Sequence, residues 1–137
     1  MPDLSRFHTA QAPVYRSALA EMKAGHKRSH WMWFIFPQLR DLGRSHTARF
    51  YGIANLAEAR AYLADPVLAA RLSECVAALL SHPGRSAQDI LGHVDAMKLR
   101  SSATLFREAG GGVEFQTVLD RFFDGAACPL TLAQLGR

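Results

Sequence analysis

Cysteine is scarce in this chain of 137 residues: Cys75 and Cys128 are the whole supply. Two thiols make no disulfide framework, and with His82 and His93 they show no metal-ligand spacing. A reduced, cytoplasmic protein without a bound metal is expected. Long apolar runs are missing as well. The longest, Trp31 to Pro37, falls far short of the ~20 residues that span a bilayer. The start of the chain carries Asp3 and Arg6 but no apolar signal core, so no membrane partner is expected. The glycines form no dinucleotide fingerprint and no Gly-Lys-Ser phosphate loop, and no His-Glu pairing of the zinc-protease kind occurs. Neither cysteine lies in a nucleophile motif. No cofactor is therefore expected, and metal and covalent-cysteine chemistry are set aside. The lack of hairpin signals, heptads and internal repeats sets aside a β-rich fold, a coiled coil and a solenoid.

What is present reads as helix after helix. Apolar content of 49% and charged content of 20% are those of a folded protein. The length predicts one domain, residues 1–137, that buries roughly 68% of its unfolded surface. Leu4, Phe7 and Gln11 predict a short first helix. Pro13 fits the first turn of a second, with Val14, Ala18, Leu19 and Met22 as its stripe and Gly25 as its stop. Gly43-Arg44-Ser45 reads as a loop and Ala48 to Gly52 as a helical turn. Asn55 with Glu58 makes a capping-box-like start to a helix reaching Leu63. Asp65-Pro66 caps the next, which runs to Ser81 before Pro83-Gly84 breaks it. Ser86 with Asp89 opens a short helix, Asp95 caps a longer one, and Gly110 to Gly112 end it. Phe115, Val118, Leu119, Phe122 and Phe123 stripe a helix that stops at Gly125, and Leu130 to Leu135 add a last turn. The fold class is all-α, a compact single-domain bundle of about six to eight short helices around a central aromatic segment.

That segment is Lys27-Arg28-Ser29-His30-Trp31-Met32-Trp33-Phe34-Ile35-Phe36-Pro37-Gln38. It holds both tryptophans, and its six large apolar residues in a row cannot face solvent. It reads as a buried helix of about two turns that Ser29 caps and Pro37 ends, although its length leaves a strand open. Its polar ends, Lys27 to His30 and Gln38, must surface around it. Between His26 and Arg49, Lys27, Arg28, Arg40, Arg44 and Arg49 stand against Asp41 alone, which accounts for the whole net charge of +4. That balance suits a small anionic partner bearing phosphate or carboxylate, or it is simply a solvated basic surface. It is too modest to predict a nucleic-acid partner.

His30 is the candidate proton carrier, because Lys27 and Arg28 beside it favour a neutral, base-competent imidazole. The plainer alternative is a structural histidine bonded to a backbone carbonyl. Trp31 or Trp33 can wall a planar ring, with core packing as the alternative for at least one of them. A second cluster, Lys98-Leu99-Arg100-Ser101-Ser102, offers two cations and two hydroxyls. Helical spacing puts Lys98, Ser101 and Ser102 on one face and Arg100 and Thr104 on another. Such a set can hold a phosphate or carboxylate, or the serines can simply allow a close helix crossing. The candidate ligand-binding residues are thus Lys27, Ser29, Trp31, Trp33, Gln38, Lys98, Arg100, Ser101 and Ser102.

The same segments carry a resemblance. Asp3-Leu4-x-Arg6-Phe7, the His30-Trp31-Met32-Trp33 run, Leu42-Gly43-x-Ser45, Pro66-Val67-Leu68, Lys98-Leu99-Arg100-Ser101-Ser102-x-Thr104-Leu105-Phe106 and Phe122-Phe123-x-Gly125 span essentially the whole chain. With them the chain resembles the bacterial domain-of-unknown-function family numbered 1810. The resemblance implies a compact, all-helical single domain and no established activity. Cys128 departs from it, since such proteins typically carry an acid there, and His93-Val94 replaces a more polar loop. Two functions follow as expectations. In one, the two clusters converge to bind, or to bind and process, a phosphorylated, nucleotide-like ligand. In the other, a basic, aromatic-rimmed surface docks a partner protein without catalysis.

Overall fold

Caps and breakers written in the chain set its helix boundaries. In the computed structural model, which describes residues 2–137, ten α-helices follow one another. They are α1 (Ser5–Gln11), α2 (Tyr15–Ala24), α3 (Met32–Ile35), α4 (His46–Phe50), α5 (Leu56–Ala64), α6 (Pro66–Leu80), α7 (Ala87–Leu91), α8 (His93–Glu108), α9 (Glu114–Phe123) and α10 (Pro129–Gln134). A 3-10 turn, Arg40–Leu42, lies between α3 and α4. The described residues hold no strand, so the fold is all-α. The surplus over six to eight helices comes from the one-turn pieces α3, α4 and α7, which only tertiary packing can hold.

The local signals act as their chemistry predicts. Gly25 stops α2 in the left-handed conformation at φ +78°. The Asn55 side chain accepts from Glu58 N at the start of α5, Asp65 accepts from Val67 N and Leu68 N at the start of α6, and Ser86 and Asp89 form a reciprocal capping box on α7. Four expectations fail. Pro13 lies in the turn ahead of α2, which begins only at Tyr15. The aromatic segment keeps only the single turn of α3, and Ser29 does not cap it: the Ser29 amide and hydroxyl are bound by Glu21 instead. Asp95 does not cap α8, which begins at His93 behind Gly92 and leaves Asp95 in the first turn. The turn expected from Ala48 starts earlier, at His46, because Ser45 caps it.

Helix α8 is the axis of the molecule, packed against α5, α7, α9 and α10, with Ser101 to Phe106 buried without a break. The aromatic segment lies in the same core: Trp31, Met32, Ile35 and Phe36 are at most 2% exposed. A chain of rings, Phe7–Tyr62–Phe106–Phe115, links α1, α5, α8 and α9 at centroid separations of 5.2, 5.1 and 5.7 Å. A polar bolt crosses it. Buried Gln11 donates to the Phe34 carbonyl (2.7 Å) and to the Tyr62 hydroxyl (3.0 Å), which fixes α3 against α1 and α5. After α3 the chain makes a loop over residues 40–52 whose neck is an isolated parallel bridge between Leu39 and Ile53. Ile53 N donates to Gln38 O and Arg40 N to Ile53 O, both at 2.8 Å. Gly52 is required there, since a Cβ would lie 2.3 Å from Arg40 Cα. No helix among the described residues is long and apolar enough to cross a membrane.

Candidate functional site

The entry to the aromatic segment is organised by a residue that the motif reading passed over. Glu21, near the end of α2, accepts from Arg28 N (2.7 Å), Ser29 N (2.9 Å) and Trp31 Nε1 (3.0 Å) through one oxygen, and from Ser29 Oγ (2.6 Å) through the other. Partial burial raises its pKa, but these donors outweigh that and bring it down to about 2. The carboxylate therefore stays charged and stitches residues 28–31 to α2. The amide of Lys27 is held from the other side by Ile90 O, at the end of α7 (2.8 Å).

So placed, Lys27 reaches α8. Its Nζ lies 2.9 Å from Asp95 Oδ2, and Lys98 Nζ lies 3.3 Å from Asp95 Oδ1. Each ammonium also sits over an indole: Lys27 is 5.1 Å from the Trp31 centroid and Lys98 is 4.7 Å from that of Trp33. Side-chain exposures are 9% for Lys27, 17% for Asp95 and 20% for Lys98. Two largely desolvated cations thus share one carboxylate. The neighbouring Glu21 is also charged but forms no ion pair with either lysine, its oxygens being taken by neutral donors. The Lys27–Asp95–Lys98 cluster taken alone has one more cation than anion, part-covered by the tryptophans.

The other predicted site residues divide sharply. His30 is exposed, and its imidazole has no partner among the described residues to orient it as a base. Trp31 is 1% exposed with its N–H given to Glu21, so it is a core residue and not a stacking wall; Trp33 is half-buried and keeps an accessible edge. Gln38 lies at the loop neck, where its carbonyl is used by Ile53. Arg100 does not join Lys98. Its guanidinium donates to Ala126 O (2.8 Å) and Ala127 O (2.9 Å). Ser101 keeps its helical spacing from Lys98 but turns its hydroxyl to Cys128 Sγ at 3.4 Å, while Cys128 N donates to Thr104 Oγ1 at 2.9 Å. Ser102 is 1% exposed and its hydroxyl has no hydrogen-bond partner among the described residues.

Three cavities open elsewhere. One of about 440 Å³ lies beside the His8–Asp65 pair, one of about 220 Å³ lies between Leu39, Asn55 and Gln134, and one of about 230 Å³ lies between Met97, Phe122 and Phe123. None of the three is lined by Lys27, His30 or Lys98. Among the described residues no three His, Cys, Asp or Glu side chains cluster to hold a metal.

Residues 1–135 match the family described as "Protein of unknown function (DUF1810)". The chain belongs to that family. Among solved structures it is similar to the conserved hypothetical protein Rv1873 from Mycobacterium tuberculosis, with 48% identity, 98% of this chain and 97% of that chain covered, and a TM-score of 0.96. No curated protein matches the sequence. Neither match names an activity.

Proposed function

We propose that this DUF1810 protein binds a small anionic ligand, nucleotide-like in carrying a phosphate and a planar ring, at the corner of Lys27, Lys98 and Trp33. One observation carries the reading: two ammonium groups far apart in the chain share a single carboxylate while both are mostly withdrawn from water. Desolvated charge without a full complement of counter-charge is costly, and a phosphate or carboxylate arriving at the edge would relieve it. Ser29, already held by Glu21, and exposed Arg28 and His30 supply further polar groups along the same chain segment. His30 would serve as the proton carrier only once a ligand oriented it. Arg100, Ser101 and Ser102 take no part in this reading.

The test is a thermal-shift series with inorganic phosphate, AMP and ADP on the wild type and on Lys98→Ala. A ligand at a hundred times its dissociation constant stabilises the folded state by ~2.7 kcal/mol. The reading expects a rise in Tm for the wild type and none for Lys98→Ala. No rise, or an equal rise in both, overturns it. The second reading, a protein-interaction module, is favoured by exposed Val94 (66%) and Met97 (46%) beside the Phe122–Phe123 groove. A partner on that groove would be lost in Met97→Asp and kept in Lys98→Ala.

A further inference from the structure

Two helices of this protein begin in the same way with different chemistry. Asp65 precedes Pro66 at the start of α6 with φ −75° and ψ 118°, and Cys128 precedes Pro129 at the start of α10 with φ −70° and ψ 114°. At α6 the carboxylate takes the next two free amides, Val67 N and Leu68 N, each at 3.0 Å. At α10 the matching amides of Leu130 and Thr131 face the Cys128 sulfur, but no capping hydrogen bond closes. A neutral thiol is a poor acceptor where an anionic oxygen is a good one.

More donors surround that sulfur. The Ser101 hydroxyl donates to it at 3.4 Å. The Thr131 side chain is fully buried, turned toward the same sulfur and close enough to act on its charge, yet its hydroxyl has no hydrogen-bond partner. Arg100 fixes the two carbonyls just before the cysteine, and Thr104 takes its amide. Burial raises the thiol's pKa, but the hydroxyl and amide donors outweigh that and leave it below its ordinary value. Cys75 has the opposite setting: burial dominates and pushes its thiol up to about 12. Cys128 is itself mostly buried, but Ala126, Pro129 and Leu130 around it are exposed, so its cover is thin.

We propose that Cys128 is a peroxide-modifiable helix cap. The Cys128 thiolate attacks one oxygen of hydrogen peroxide, forming an S–O bond as the O–O bond breaks. The sulfur gives up two electrons, the peroxide accepts them, and the departing hydroxide takes a proton to leave as water. A second peroxide repeats the exchange on the sulfenate and gives a sulfinate. Its two oxygens, sharing one negative charge, then serve the Leu130 and Thr131 amides and the Thr131 hydroxyl, as Asp65 serves α6. Oxidation therefore tightens the docking of α10 instead of loosening it.

The experiment treats the reduced full-length chain with graded hydrogen peroxide and follows intact mass, peptide maps and Tm. Cys128 should gain one and then two oxygen atoms at least about tenfold faster than Cys75. The doubly oxidised protein should melt about 3 °C higher than the reduced one. Cys128→Asp should show that rise without peroxide and no further response, and Cys128→Ser should take up no oxygen at this position. Equal oxygen uptake at both cysteines, no uptake at Cys128, or a lower Tm after oxidation overturns the proposal.

Discussion

Lys98 and Arg100 stand two positions apart on α8 and meet different fates. Arg100 finds two backbone carbonyls already in place, and its donors are used within the chain. Lys98 finds half of a carboxylate and an aromatic ring, with Lys27 competing for the same partner. The two cations are similar in kind, and their neighbours decide what is left over. At the Arg100 end the chemistry is structural, fastening residues 126–128 to α8. At the Lys98 end charge remains unspent. Counting basic residues in a segment therefore says little about binding until the internal acceptors have been assigned to them.

The contrast can be broken by removing the shared acceptor. Asp95→Ala leaves two part-buried ammonium groups facing each other and should cost about 3 kcal/mol in urea unfolding. Inorganic phosphate should restore more stability to that variant than to the wild type; a variant as stable as the wild type would mean that the cations were never strained. The next largest effect is expected at Glu21→Gln, about 2 kcal/mol, because the Trp31 N–H and two amides lose a charged acceptor. Glu21 has a depressed folded pKa, so its contribution is complete above the ordinary carboxylate range, near the reference value of 4.5, and is lost as pH falls toward about 2. Wild-type stability measured over that window should fall more steeply than that of the variant. The smallest of the three effects is Arg100→Ala at about 1 kcal/mol, since its released carbonyls lie at the surface and can turn to water. Hydrogen exchange should quicken over residues 126–135 and stay unchanged at Trp31 and Trp33.

Much of this architecture could be read from local signals. Asp65-Pro66, the Ser86–Asp89 pair and Gly25 act on the nearest turn of backbone, so the caps and stops they predict are the ones observed. The burial of Trp31, Met32, Phe34, Ile35 and Phe36 followed from the impossibility of solvating such a run, with Trp33 left half-buried. The site was less legible because its key contacts span long stretches of chain. Glu21 is one acid on an otherwise ordinary helix, and nothing near it in sequence announces that it will collect the amides of residues 28 and 29. Once it does, Ser29 is no longer free to cap, and α3 shrinks to a turn. Asp95 looked like a cap for the same reason: its position near a helix start was visible, and the two lysines it bridges were not. Spacing grouped Ser101 with Lys98, but the arrival of residues 126–131 drew it toward Cys128.

The pairing of Leu39 with Ile53 also matters for engineering. It ties off residues 40–52 at their base, so the chain beyond pays its closure entropy at the knot and not along its length. Peptide inserted near Arg44, at the exposed far end, should leave the helices around Trp31 undisturbed. A single methyl group at position 52 would prise the knot open from within.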